Sequence, residues 1–410
     1  MQDSDLFAHA GLAFGGDELE PLAGTPLEEG QLLALAQEMT GLSDWGDDDS
    51  FRIGLRVLIR EIEEHGPSPA HRHQFRRQIV HLLNQRLRLR DDEVRHPEVL
   101  EQRIERPVLI LGLPRTGTTL THELLSLDPA ARAPLNWEYA APWPAPEQAT
   151  FDSDSRIAKV DASWDAQRAA SPELKTMLPT FARMPSECND AMMFHFSGPN
   201  FWAWMRVPQH GWWYAGETTE GLYRTHKRIL QQLQWKGPRG RWTLKSPPFM
   251  SDLEQIIETY PDACLIWTHR DPSTTFVSLA SLVSSLQKAL LGERPEPGVI
   301  GPECRRLWTL ALERGLAARR NPKVAKALID VSYAELAADK PGTVEKIYDH
   351  FGLEFTDAYR AKLERVDHEE PSTQYTKHRY SAEEYGLDPA SVRRELAHYF
   401  EEFGHLFEKH

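Results

Sequence analysis

The chain has 410 residues, a formal net charge of −14 and 40 % apolar side chains, 12 of its residues being tryptophan, enough for one large α/β domain with additions or for two domains. That charge argues against broad contact with nucleic acid or an anionic membrane, although an acidic protein can still hold a cationic pocket. Cys188, Cys264 and Cys304 show no metal-ligand spacing and suit a reducing cytoplasm; no apolar run approaches the ~20 residues of a membrane span, and the acidic first thirty residues do not read as a secretory signal.

Residues 1–50, rich in Asp, Glu and Gly, predict at most a short helix or two. FRIGLRVLIREIEEHG (51–66) has apolar residues at helical spacing, and 71–95 repeats the pattern with Phe75, Ile79, Leu82, Leu83 and Leu87 on one stripe. These helices are expected to pack on the main domain or on a neighbouring subunit, which leaves a homodimer open. At 107 the pattern changes. PVLILG is an apolar run without polar alternation, as in a strand buried on both faces of a parallel sheet. It runs into Gly112-x-x-x-x-Gly117-Thr118-Thr119, the spacing of a phosphate-binding loop with Thr118 in the usual lysine position. The backbone N–H groups of such a loop and of the helix after it form an anion nest, and Arg115 supplies a cation inside the turn.

A stretch dense in Pro and Trp follows, about 135–235, centred on FHFSGPNFWAWMRVPQHGWWY (194–214). Phe194, Phe196, Phe201, Trp202, Trp204, Trp212 and Trp213 suit a core; their density also points to an apolar pocket wall, fitting a lipid, sterol, phenol or polyketide-like alcohol. Further strands are expected at 241–245, 263–269 and 327–333, alternating with helical stretches such as 252–259, 273–290 and 303–320. Alternation implies a parallel sheet covered on both faces, with ligands at the carboxyl ends of the strands.

Chemistry-bearing residues fall at those ends. Lys245-Ser246-Pro247-Pro248 follows one strand, and Thr268-His269-Arg270-Asp271-Pro272 follows another, with Ser278 in the next helix. Three cations at three strand termini, one inside an anion loop, suggest a ligand with more than one phosphate-like group. Without the loop lysine and an evident Mg²⁺ carboxylate, ordinary ATP chemistry is disfavoured. The loop still leaves open a divergent P-loop kinase or nucleotide hydrolase, or a non-catalytic module binding adenosine bisphosphate.

PRTGTT (114–119), HRDPSTTFVS (269–278), VSYAELAADKPGTVEKIYDHFGLEF (331–355) and KHRYSAEEYGL (377–387) occur in an order and spacing that resembles the sulfotransferases using 3′-phosphoadenosine-5′-phosphosulfate (PAPS), especially the bacterial branch similar to protein-tyrosine sulfotransferases. The resemblance spans about 105–390. It implies a three-layer P-loop-like α/β domain at 106–410, with 135–235 as acceptor-binding insertion and 1–105 as an N-terminal helical extension. It also implies a cytoplasmic enzyme that transfers sulfuryl to a hydroxyl of an apolar or aromatic small molecule, leaves adenosine 3′,5′-bisphosphate (PAP) and needs no metal. Arg115, Thr116, Gly117, Thr118 and Thr119 would hold the 5′-phosphosulfate, Arg270 and Ser278 the 3′-phosphate, and Tyr333 would lie near the nucleotide. Arg115 and Lys245 would neutralise charge on the bridging oxygen. Pro247 stands where the best-known cytosolic members carry a catalytic histidine. In the tyrosine-sulfotransferase branch the base is a glutamate a little over twenty residues past the loop arginine, which points to Glu138, flanked by Trp137 and Tyr139, where desolvation can raise a carboxyl pKa. His122, His195, His210 and His269 are rival bases; His122 is expected to pack, His269 to orient the nucleotide, and His195 and His210 to line the acceptor pocket. Glu187 is read as capping or pairing, and Arg379 as reaching the 3′-phosphate or lying on the surface.

Overall fold

The computed structural model describes residues 19, 22, 24–170, 181–217, 221–292, 295–369 and 381–407. Arg379, with the first four residues of the 377–387 motif, lies outside the described residues. Contacts divide the chain into two compact units, each assembled from separated stretches. A helical unit comprises Met1–Ile104, Pro134–Arg239 and Leu286–Glu293; a sheet unit comprises Glu105–Ala133, Gly240–Ser285 and Arg294–His410.

The sheet unit holds five parallel strands, β1 (Val108–Gly112), β2 (Ala131–Arg132), β3 (Arg241–Lys245), β4 (Cys264–His269) and β5 (Leu328–Ser332), in the order β2-β3-β1-β4-β5. Four occupy the expected apolar runs. The two-residue β2 was not expected, since so short an edge strand has no periodicity to read. Alternate side chains explain the burial of both faces. Val108, Ile110, Cys264, Ile266, Ile329 and Val331 form one core with Leu336, Val344, Ile347, Tyr348, Tyr359 and Leu363, each fully buried aliphatic contributing roughly 1.5–3 kcal/mol. On the other face Trp267 meets the helix Pro297–Ala318 at Gly315, where a Cβ would stand 2.7 Å from the indole.

Strand order reverses at β1: the chain first builds β2 and β3 to one side, then β4 and β5 to the other. Such a switch point opens a crevice at the strand carboxyl ends. In register, Gly112 lies beside Thr268 and His269 beside Ser332, so Arg270 and Tyr333 leave the sheet from neighbouring positions.

The helix Pro272–Leu291 is long and apolar enough, by length and composition, to cross a membrane, and 72 % of its most apolar window is buried inside the protein. Interspersed Ser and Thr keep it from reading as an uninterrupted apolar run. All three cysteines are buried and unpaired with one another.

In the helical unit, Glu29–Thr40, Phe51–Glu64 and Pro69–Arg95 form the helices expected from the two periodic stretches, with one more before them. The helix Phe51–Glu64 packs on Pro208–Gly216. Its Gly54 is obligatory, because a Cβ there would fall on the Phe196 carbonyl oxygen.

Candidate active site

The loop after β1 is built from unusual backbone. Gly112 and Gly117 have φ of 133° and 93°, and Arg115, though not glycine, has φ of 69°, a conformation that costs L-residues on the order of 1–2 kcal/mol. Gly117 caps the helix Thr118–Leu125, so the first N–H groups of that helix continue the loop. A Cβ at Gly117 would stand 2.6 Å from Cδ2 of Tyr333. The tyrosine ring thus lies against the loop, and only glycine leaves room for both.

Around this loop the expected cations converge. Arg115 Nε donates to Ser278 Oγ at 3.1 Å. Arg270 Nη1 donates to the Arg115 carbonyl at 3.1 Å, and its guanidinium lies 4.6 Å from the centre of the Tyr333 ring, a cation–π distance. On the β3 side, the buried Lys245 reaches Thr119, Nζ donating to Oγ1 at 3.3 Å. Thr118 is buried and Thr119 exposed. Thr116 behaves differently from a ligand-facing hydroxyl. It is fully buried, donates to Leu113 O at 2.6 Å and shares a 2.6 Å hydrogen bond with Thr268 Oγ1. Its hydroxyl ties the loop to β4.

Two histidines near these strands are committed elsewhere. His122 Nε2 meets the Thr243 carbonyl at 3.0 Å; burial and then the Lys245 charge push its pKa down to about 3, against a smaller opposing pull from that carbonyl. It is a neutral packing residue. His269 is fully buried, with Nδ1 at 2.7 Å from Tyr399 OH and Nε2 at 2.8 Å from Asp330 Oδ1. It shares a sheet face with Trp267, whereas Thr268 and Arg270 turn to the loop side. His269 was expected to orient the nucleotide; strand alternation aims its ring away from the loop. Tyr399 and Asp330, which hold it, had no local sequence signal.

The remaining candidates belong to the helical unit. Glu138 is fully buried in the short helix Asn136–Ala140, where its Oε2 accepts from Leu135 N at 2.9 Å. Glu187 precedes the helix Cys188–Met193 and accepts from Asn189 Nδ2 at 2.9 Å. His195 is buried with Nε2 at 2.9 Å from Ser50 Oγ and Nδ1 at 3.1 Å from Ser197 Oγ. His210 bonds the Phe196 carbonyl at 2.9 Å, and burial lowers its pKa to about 4. Phe194, Phe196, Phe201 and Trp202 are core residues, while Trp204, Trp212 and Trp213 are half-buried. His195 and His210 were expected to line the acceptor pocket; both are buried, bonded to Ser50 and Ser197 and to the Phe196 carbonyl respectively.

A parallel sheet that reverses at a phosphate-type loop, with cations from three strand ends around it, defines a P-loop-like α/β fold with an anion-binding loop at its switch point. Residues 107–357 match the model of the Sulfotransferase family, and the chain belongs to that family. It is similar to two solved mycobacterial sulfotransferases. STF9 from Mycobacterium avium is 28 % identical with a TM-score of 0.82, covering 94 % of this chain and 98 % of that one. STF1 from Mycobacterium tuberculosis H37Rv is 30 % identical with a TM-score of 0.78, covering 91 % and 99 %. It is also 26 % identical over 288 residues to the omega-hydroxy-beta-dihydromenaquinone-9 sulfotransferase Stf3 of Mycobacterium bovis, across 65 % of this chain and 68 % of that protein. The protein is a sulfotransferase.

Proposed function

We propose that the sulfuryl donor is PAPS and that the acceptor is a hydroxyl on an apolar small molecule. The observation that carries the donor assignment is the gathering of Arg115, Arg270, Ser278 and Tyr333 on one anion loop. The loop amides with Thr118 and Thr119 would take the 5′ group, and Arg270 with Ser278 would give a 3′-phosphate a charge-assisted pair plus a hydroxyl donor. The positive-φ Gly117 lets the Tyr333 ring lie directly on the loop. Stf3, by name, acts on a hydroxylated menaquinone derivative, and the aromatic composition of 194–214 suits an acceptor of similar polarity.

In the reaction, the acceptor oxygen bonds to sulfur in line as the bond from sulfur to the 5′-phosphate oxygen breaks. The electron pair leaves on PAP. Arg115 and Lys245 would neutralise that oxygen, and Glu138 would take the acceptor proton. Thermal shift without added metal tests the donor: PAP should raise the melting temperature more than ADP at equal concentration, because only PAP carries a 3′-phosphate. Stabilisation by ADP alone would sink the assignment. For the base, Glu138→Gln keeps an oxygen to accept from Leu135 N yet cannot take a proton. Turnover should fall about 10²–10⁴-fold at unchanged PAP affinity; unaltered turnover would remove Glu138 from the mechanism.

A further inference from the structure

Within the sheet unit, the segment after Asp388 contacts residues on both sides of Arg270 and the residue before Tyr333. The segment Pro389–Leu406 holds two short helices, Pro389–Glu395 and Ala397–Phe403, and a final turn. Tyr399 OH meets His269, the residue before Arg270, at 2.7 Å. Arg393 pairs with Asp271, the residue after Arg270. The Leu406 carbonyl accepts from Ser332 Oγ, the residue before Tyr333, at 2.7 Å. Each neighbour is itself committed to the site's scaffold. His269 also binds Asp330, which Arg319 holds through two bonds at 3.0 and 2.7 Å, and it stacks on Phe403 with ring centres 4.5 Å apart. Asp271 accepts from Ser273 N at 2.8 Å and so opens the helix that carries Ser278. Ser332 accepts from Ala334 N and Glu335 N and so caps the helix that begins at Tyr333.

We infer that this C-terminal segment is a positioning device for recognition of the 3′-phosphate, acting through His269, Asp271 and Ser332 to hold Arg270, Ser278 and Tyr333 in place. The inference rests on the donor reading above. Strand alternation supplies the mechanism: His269 and Arg270 leave the same strand end toward opposite faces, so locking the histidine below fixes the backbone from which the arginine extends above. Hydrogen-bonding groups at strand ends otherwise move with the loops they enter, and a phosphate contact loses strength quickly with misplacement. Three tethers at three residues adjacent to the site leave Arg270 and Tyr333 little freedom to separate. Tyr399 and Arg393 are therefore positioning residues.

The test is calorimetric titration of the full chain with PAP and with AMP, which lacks the 3′-phosphate. In Tyr399→Phe the ring stays and the His269 bond goes; the ratio of AMP to PAP dissociation constants should fall about tenfold, with AMP affinity unchanged, the size expected from weakening one hydrogen bond to a charged group. Arg393 is 57 % exposed, so Arg393→Ala should fold normally and lower the ratio about fivefold, and Arg393→Lys should restore most of it. A wild-type protein that prefers PAP while both variants prefer it equally overturns the inference, as does an equal weakening for both ligands, which marks a purely structural tether. A wild type indifferent to the 3′-phosphate overturns the donor reading, and this inference with it.

Discussion

The two units differ in where their cations gather. In the helical unit, charged and polar groups join one helical segment to another. Glu61 accepts from Gln209 N and His210 N at 2.8 and 2.7 Å and so caps the helix Pro208–Gly216. Arg86 donates to the Phe194 carbonyl and lies 4.0 Å over the Phe51 ring, and Arg156 donates to the Ala141 and Pro144 carbonyls. In the sheet unit, Arg115, Arg270 and Lys245 gather on a loop whose own backbone offers N–H groups. Polar side chains that terminate helices stabilise a fold; cations gathered beside an anion nest add positive charge where the backbone N–H groups already favour an anion. That contrast separates scaffold from site here.

Breaking the contrast most severely, Lys245→Ala should reduce turnover about 10²–10³-fold, the loss expected when a group facing developing charge is removed, with circular dichroism and melting temperature nearly unchanged. A large drop in melting temperature with normal turnover would place Lys245 among the scaffold residues instead. Two glycines sharpen the comparison next, one from each unit. Gly54→Ala drives a methyl into the Phe196 carbonyl and should cost about 3 kcal/mol in urea unfolding, with PAP affinity of the folded fraction retained. Gly117→Ala meets Tyr333 at a φ of 93°; it should cost about 2 kcal/mol and also weaken PAP binding. If both alter binding alike, the two units are not distinct in function.

The remaining test is of pH. Burial pushes His122 and His226 down to about 3 and His210 to about 4, from an ordinary 6.5. With folded pKa values below the unfolded one, their contribution is fully present above pH 6.5 and is lost as pH falls toward 3. Each can remove up to about 1.4 kcal/mol per pH unit within that window. Melting temperature should therefore decline below pH 6.5, and His226→Gln, in the helical unit, should flatten that decline. A melting temperature constant between pH 6.5 and 4.5 would contradict the buried, neutral assignment.

Much of the sheet unit was legible because its signals are local. Uninterrupted apolar runs announce strands buried on two faces, and Gly112, Gly117 and the loop between them need only their own backbone. Arg270 and Lys245 could be placed by position alone, since a residue at or just past the carboxyl end of a parallel strand lies at the ligand-binding edge. Thr116 illustrates the limit: its type suits an anion loop, but its hydroxyl is consumed by Leu113 and Thr268. The helical unit was legible as helices and aromatic core, not as function. Whether His195 lines a pocket or bonds Ser50, 145 residues away, depends on packing that no periodicity encodes.

By itself, then, the sequence determined the sheet, the anion loop and the cations at the strand ends, because each follows from short-range geometry: the period of a buried strand, the φ that glycine allows, the position after a strand. Tertiary structure decided which hydroxyls and imidazoles are left to face a ligand, and which residues brace those that do. Tyr399 beside His269 and Arg393 beside Asp271 are separated by more than a hundred residues. Such pairs exist only once the chain has closed, and their partners are chosen by the shape of the packed surfaces, which carries no local mark.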